Sequence, residues 1–376
     1  MRRPRSIVLV VCGGLALPVS ACALLVDTNG LMSAPEGLPD DASPTIDARA
    51  DGGYGDGPTD GGREGAATMF ASCADGGGPG LTGCGPDGGA SCCESLLVTG
   101  GTFLRSFDNV YALDKNNLAT VSGFRLDRFE VTGARFRAFV GAVVGGWRPA
   151  SGAGRHTHLP GGGLTQAGGP LLEPGWDGAW NSQLFPTKAE WTSALSCDVP
   201  ATWTSAPGGN EQLPINCITR IEAYAFCIWD GGFLPSETEW NYAATGGDEQ
   251  RVFPWSTPPQ SSAIDCTFGN FRPDPDAAFC AGKPVPPGLY PKGAARSGHA
   301  DMSGNLYERT LDGYADYLAP CIDCVNLRPG QPLNHYIVRG GSYYTTGPTG
   351  VSANARPSDP ETLRATGFGF RCARTP

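Results

Sequence analysis

Lysine is nearly absent from this chain of 376 residues: there are four, against 23 arginines, and histidine also occurs only four times. The lysine shortage points to a G+C-rich genome and to nothing about activity. The histidine shortage limits metal chemistry. No His-x₃₋₅-His pair exists, and no second Cys-x-x-Cys accompanies Cys321–Cys324, so a zinc site has no basis. No apolar run reaches the length of about 18 residues that a spanning helix needs. Positive charge is scarce as well. The formal charge is −10, and residues 27–95 hold 12 acidic side chains against only Arg49 and Arg63. From residue 96 onward the balance is 25 acidic to 22 basic. The acidity belongs to one segment, and without a basic face nucleic acid is not an expected partner.

What is present begins with an export signal. Arg2, Arg3 and Arg5 form a positive start, Ile7–Leu17 a short apolar run, and Val19, Ser20 and Ala21 a small-residue stretch before Cys22. That is the layout of a secretory signal peptide over residues 1–21. A cysteine directly after the small residues is similar to a bacterial lipobox, in which Cys22 is lipidated. An ordinary signal peptide cut near Ala21 or Ala23 is the other reading. One acyl chain anchors only marginally, and several on one cysteine anchor stably. Ala23 in place of an aspartate favours the outer membrane. The expectation is an exported protein, lipid-anchored in a bacterial cell envelope, at the outer membrane or the cell surface.

Residues 22–95 then read as a disordered acidic tether. Residues 27–95 hold 17 glycines and six prolines and few aromatics, too little apolar surface to offset chain entropy. The Asp-Gly runs there lack the nonapeptide period of a calcium-binding repeat. Setting Cys12 and Cys22 aside leaves 12 of the 14 cysteines, enough for six disulfides in an oxidising compartment. Cys73, Cys84, Cys92 and Cys93 gather at the end of the tether as a small knot. Cys266 with Cys280, and Cys321 with Cys324, are candidate local pairs. The Cys321–Cys324 spacing also occurs in redox motifs. Its Pro- and Asp-flanked loop, with no strand signal before it and no helix signal after it, favours a structural bridge.

Residues 96–376 read as one α+β domain of low regular content. Three capping boxes mark helix starts: Thr187 with Glu190, Thr219 with Glu222, and Ser236 with Glu239. Ile221, Tyr224, Ala225 and Ile228 share one helical face ahead of Gly231 and Gly232. Phe136, Phe139, Val140 and Val143 do the same after Thr132, with Gly145 as the stop. Strands are expected near Phe103, at 123–128 and at 337–339, and loops at 148–176 and 255–300. His156 and His158 fall on one side of an extended segment. With no carboxylate beside them, they read as a loop pair rather than as iron ligands.

A series of short motifs carries a resemblance: VTGGTF at Val98–Phe103, FEVT at Phe129–Thr132, PINC at Pro214–Cys217, AYAFCIW at Ala223–Trp229 and LPSETEW at Leu234–Trp240. DMSGNLYE at Asp301–Glu308, VRGGS at Val338–Ser342 and GFGFRC at Gly367–Cys372 complete it. In this order the chain resembles the formylglycine-generating, or sulfatase-modifying, enzyme family. The resemblance implies a compact C-type-lectin-like α+β fold and a disulfide between Cys227 and Cys372. Active members of that family oxidise a peptide cysteine with O₂ and a copper ion held by two thiolates. Those thiolates lie three and eight residues after the serine matched by Ser342, where this chain has Thr345 and Gly350. Soft thiolates are what Cu(I) needs, so the resemblance gives this chain no copper site. A second branch of the family uses non-haem iron held by histidines of another module, which is not seen here.

The resemblance also implies structural calcium. The matching positions are Asp301, Gly304, Leu306 and Glu308, with a second set at Asn270 and Phe271 that Asp276 could join. Carboxylates and carbonyls in a Gly-rich loop suit calcium's six to eight oxygen ligands. The functional expectation is a non-catalytic, lipid-anchored module that binds a protein or small-molecule ligand, with loop aromatics Trp147, Trp176, Trp180 and Trp255 as candidate groove walls. The alternative is an oxidoreductase of the sulfatase-modifying family acting on an exported protein.

Overall fold

A computed structural model describes residues 70–376, apart from 75, 329, 331 and 333. The export signal, Cys22 and the first two thirds of the tether lie outside the described residues.

The chain enters through a short hairpin, β1 (Thr82–Cys84) and β2 (Ala90–Ser91), followed by β3 (Ser95–Val98), β4 (Gly101–Leu104), β5 (Leu118–Val121) and β6 (Phe124–Asp127). Helix α1 (Gly133–Val144) leads through a long loop holding β7 (Thr165–Gln166) to α2 (Lys188–Leu195), α3 (Arg220–Trp229) and α4 (Glu237–Thr245). After a second long loop come β8 (Tyr307–Gly313), β9 (Cys321–Ile322), β10 (Cys324–Val325) and β11 (His335–Arg339). A single turn α5 (Pro348–Val351) and the short strands β12 (Ser358–Pro360), β13 (Phe368–Gly369) and β14 (Ala373–Arg374) finish the chain. The largest sheet has the order β12-β11-β8-β13, with β8 and β13 parallel. Two three-stranded sheets, β14-β6-β3 and β4-β5-β9, stand beside it. No helix among the described residues is long and apolar enough to cross a membrane.

Local chemistry sets the helices. All three capping boxes form, each with the hydroxyl accepting from the third helical N–H and the glutamate accepting from the cap N–H. Thr132 caps α1, whose Phe136, Phe139, Val140 and Val143 are buried. They pack with Phe226, Trp191 and Phe370 in the main core. Helix α3 ends where Gly231 takes φ 80° and donates to the Ile228 carbonyl, a left-handed stop that glycine adopts without strain.

Six disulfides join the described cysteines: Cys73–Cys93, Cys84–Cys92, Cys197–Cys217, Cys227–Cys372, Cys266–Cys280 and Cys321–Cys324. The Cys227–Cys372 bridge ties α3 to the C-terminal segment, as the resemblance implied. One boundary moves. The expected disordered segment does not run to residue 95, because residues 70–95 pack on the domain. The Ser72 N–H donates to Asp230 at 2.7 Å and its Oγ accepts from Arg135 at 3.0 Å. Arg374 lies over the Phe70 ring at 3.8 Å. Disulfides and buried ion pairs replace the apolar surface this segment lacks, so its composition hides its order.

Candidate functional site

The positions that correspond to the family's copper thiolates lie in the turn after β11. Gly340 and Gly341 take φ of 88° and 76°, and a Cβ at Gly341 would stand 2.7 Å from Val351. Only glycine allows this turn to enter the interior. The Ser342 N–H donates to Thr345 Oγ1 at 2.9 Å, and Thr345 Oγ1 donates to the Tyr307 hydroxyl at 3.0 Å. A Cβ built on Gly350 would lie 2.6 Å from the Thr345 Cγ2. The fold therefore does bring positions 345 and 350 together. What meets there is a methyl group and a hydrogen, beside Tyr307, whose ring stacks on Phe368 at 5.4 Å. Ser342 is fully buried and Thr345 nearly so. The two hydroxyls bond each other and are flanked by the phenols of Tyr307 and Tyr344, whose protons burial makes harder to remove. No base stands ready to activate either as a nucleophile.

The residues matched to calcium form a second constellation nearby. On β8, Glu308 receives the Arg371 guanidinium on both oxygens, at 2.7 and 2.6 Å, and Trp240 Nε1 at 2.8 Å. Arg371 spends its remaining donors on the carbonyls of Asp127, Arg128 and Ala300. Asp301 accepts from the Gly288 N–H at 2.5 Å. Glu130, which the sequence reading did not single out, accepts from Leu306 N–H at 3.0 Å and Asn305 Nδ2 at 2.5 Å. Burial, reinforced by the Asp301 and Glu308 carboxylates, pushes the Glu130 carboxyl well above its usual range. Burial likewise lifts Asp301 to about 6.

These residues do not fit a calcium shell as they stand. Calcium needs several free oxygens, and both Glu308 oxygens are held by a guanidinium. Asn270 spends its side chain on Lys283, Asn305 and Ala281, Phe271 is packed in a small apolar cluster, and Asp276 stands exposed in its own turn. Gly304, at φ 89°, serves to bring its backbone against Asn270. Leu306 is buried with its side chain against Gly369. No group of three or more His, Cys, Asp or Glu among the described residues is arranged to hold a metal ion.

His156 is a further buried titratable group. Its Nδ1 is 2.8 Å from Glu173 and its Nε2 3.1 Å from Glu239. Burial alone would lower its pKa, but the two carboxylates outweigh it and raise the imidazole to about 10. The sequence showed no carboxylate beside this histidine. Glu239 arrives from the α4 capping box and Glu173 from later in the same loop. His158 stacks on Phe233 and is not brought into a ligand set.

Of the loop tryptophans, Trp176 is in the core, Trp147 packs against it and Trp255 is stacked between Phe253 and Phe268. Trp180 alone among them lines a recess of about 180 Å³, with Glu173, Arg220, Tyr224, Leu327 and Tyr336. Arg220 lies 3.9 Å over the Tyr336 ring and pairs with Glu361.

Comparison with known proteins agrees with this anatomy. The formylglycine-generating enzyme of Thermomonospora curvata is 27% identical over 307 residues, covering 75% of this chain and 93% of that protein. Hercynine oxygenase of Mycolicibacterium smegmatis is 28% identical over 231 residues, covering 57% and 45%. The inactive C-alpha-formylglycine-generating enzyme 2 of Mus musculus is 30% identical over 177 residues, covering 43% and 49%. The chain thus spans about half the length of the latter two. PvdO from Pseudomonas aeruginosa shares the fold, with a TM-score of 0.50 over 80% of this chain and all of that chain at 20% identity. The profile of the sulfatase-modifying factor enzyme 1-like domain matches residues 84–376, ahead of the start expected at residue 96, and the chain belongs to that family.

Proposed function

We propose that this protein is an exported, lipid-anchored member of the family whose domain binds a protein or small-molecule ligand without carrying out the copper-dependent oxidation. One observation carries the reading: where two thiolates would hold copper, the Thr345 methyl group rests on Gly350 and neither position is a cysteine. Thiolates are the ligands Cu(I) selects, and a hydroxyl with an apolar neighbour offers neither charge nor softness. The mouse relative named inactive is a precedent for family members without activity. The aromatic-walled recess at Trp180, Tyr224 and Tyr336 is a concave surface on which a ligand can sit. Fold alone does not decide this, since one scaffold hosts many functions.

The purified protein, incubated with Cu(I) and a cysteine-containing peptide, should consume no O₂ and leave the peptide mass unchanged. Peptide oxidation abolished by one named substitution would establish the alternative, an oxidoreductase acting on an exported protein. The anchor has its own test. Cys22→Ala should move the protein from the membrane to the soluble fraction, and an unchanged distribution would remove lipidation from the reading.

A further inference from the structure

Cys321–Cys324 differs from the other disulfides in two respects. It closes the shortest loop, with a separation of 3 residues where the others have 8, 14, 20, 20 and 145. Loop-closure stabilisation grows with loop length, so this bridge has the least of it. The turn is also held without the sulfur–sulfur bond. Asp323, at φ 42°, accepts from Ser122 N–H and Oγ at 2.6 and 2.7 Å. Strand β9 pairs with β5, and β10 with β7, on either side of it.

Arg105 supplies the second respect. It is buried, and its Nη1 stands 3.7 Å from Cys324 Sγ while Nη2 donates to the Leu318 carbonyl at 2.7 Å. Its guanidinium lies 4.2 Å over the Tyr317 ring, and it makes no ion pair among the described residues. Neighbouring Arg339 and Arg356 share Glu237, and Asp312 accepts only the N–H groups of Glu237 and Asn326. Asp312 acts on both Arg105 and Arg356 through space, and the exposed Asp316 lines the same recess, so no carboxyl group is reserved for Arg105. A buried cation gains from a negative charge close to it, and a thiolate on Cys324, 3.7 Å from Nη1, would supply one.

We propose that Cys321–Cys324 is a redox-active disulfide that accepts two electrons from a dithiol of an exported protein or peptide. One thiolate of the dithiol attacks Cys321 Sγ, the disulfide breaks, and Cys324 leaves as a thiolate facing Arg105. The second thiolate of the dithiol then attacks the sulfur of its own first cysteine and releases Cys321. The dithiol ends as a disulfide and this pair as two thiols, with two electrons and two protons transferred. Ile322 between them is 65% exposed while Cys321 and Cys324 are only 2% and 7% exposed, so the turn must open to admit the dithiol. The exchange is stoichiometric, uses no copper, and stands whether or not the site at Thr345 and Gly350 is active.

The test equilibrates the full-length protein with dithiothreitol at graded ratios of reduced to oxidised form. Samples are acid-quenched and alkylated, each cysteine pair is read by peptide mass spectrometry, and near-ultraviolet circular dichroism follows the fold. Cys321 and Cys324 should become reduced at a ratio at least about tenfold below that of any other pair, with the fold intact. Arg105→Gln should raise the required ratio by about tenfold, as loss of the neighbouring cation raises a thiol's pKa by about a unit. Reduction of this pair only together with the others, or only on unfolding, overturns the proposal, as does an unchanged ratio in folded R105Q. If R105Q does not fold, the order of reduction in the unmodified protein decides.

Discussion

Arg371 and Glu308 form a two-pronged ion pair in the interior, with Nε 2.7 Å from Oε2 and Nη2 2.6 Å from Oε1. The pair lies one residue before the Cys372 bridge and near the start of the longest described strand, β8. Through Arg371 it gathers the carbonyls of Asp127, Arg128 and Ala300, so it joins the β6 end to the loop before β8. A divalent ion on Glu308 would have to compete with this guanidinium for both carboxylate oxygens.

Glu308→Gln should therefore destabilise the domain by about 3–5 kcal/mol, the usual cost of breaking a buried pair from one side. Urea unfolding followed by tryptophan fluorescence measures it. Chelation with EDTA should leave the unfolding midpoint of the unmodified protein unchanged. A lower urea midpoint that calcium restores would place an ion among Asp301, Glu308 and their neighbours after all.

The contact at positions 345 and 350 predicts a paired effect. Gly350→Ala puts a Cβ 2.6 Å from the Thr345 methyl group and should cost about 1–3 kcal/mol by overpacking. Thr345→Ser removes that methyl group while keeping the hydroxyl that bonds Ser342 and Tyr307. The double variant should recover most of the loss. Additive costs in a double-mutant cycle would mean the two positions are not in contact.

Much of this architecture was legible because it is local. The capping boxes at Thr187, Thr219 and Ser236 and the apolar stripe of α1 are fixed by residues within one or two turns. The site was legible only in part. The motif around Asp301–Glu308 and the RGGS turn could be placed, but their partners come from far along the chain. Glu130, Asn305 and Arg371 meet only in three dimensions, and the two carboxylates on His156 arrive from separate elements. The order ahead of residue 95 stays hidden in the sequence for a related reason. A glycine-rich, acidic segment looks disordered until Ser72 finds Asp230, and no periodicity signals a buried polar anchor.

That anchor can be broken at one residue. Asp230 pairs with Arg135 and with Arg374, each at 2.7 Å, and accepts the Ser72 N–H. Asp230→Ala should leave two buried guanidiniums sharing Asp127 alone, at a cost of about 3–5 kcal/mol. It should also loosen residues 70–93. Limited proteolysis should then cut ahead of Cys93 in the variant at protease levels the unmodified protein resists. Equal resistance would show that the two disulfides hold the segment without the ion pairs.

His156 gives the domain a pH dependence whose direction follows from its two carboxylates. In the unfolded chain the imidazole loses its proton near 6.5, whereas in the folded domain Glu239 and Glu173 hold it to about 10. A group whose pKa rises on folding stabilises fully below the unfolded value and loses that contribution as pH climbs through the folded one. Stability should thus decline between about pH 6.5 and pH 10. His156→Gln removes the titrating cation and leaves Glu173 and Glu239 facing a neutral amide. It should cost on the order of a few kcal/mol at pH 6, and its deficit relative to the unmodified protein should shrink toward pH 10. Thermal unfolding of both proteins at intervals from pH 6 to 9.5 tests this. A deficit that stays constant or widens with pH would mean that the imidazole is already neutral between its two carboxyl groups at pH 6.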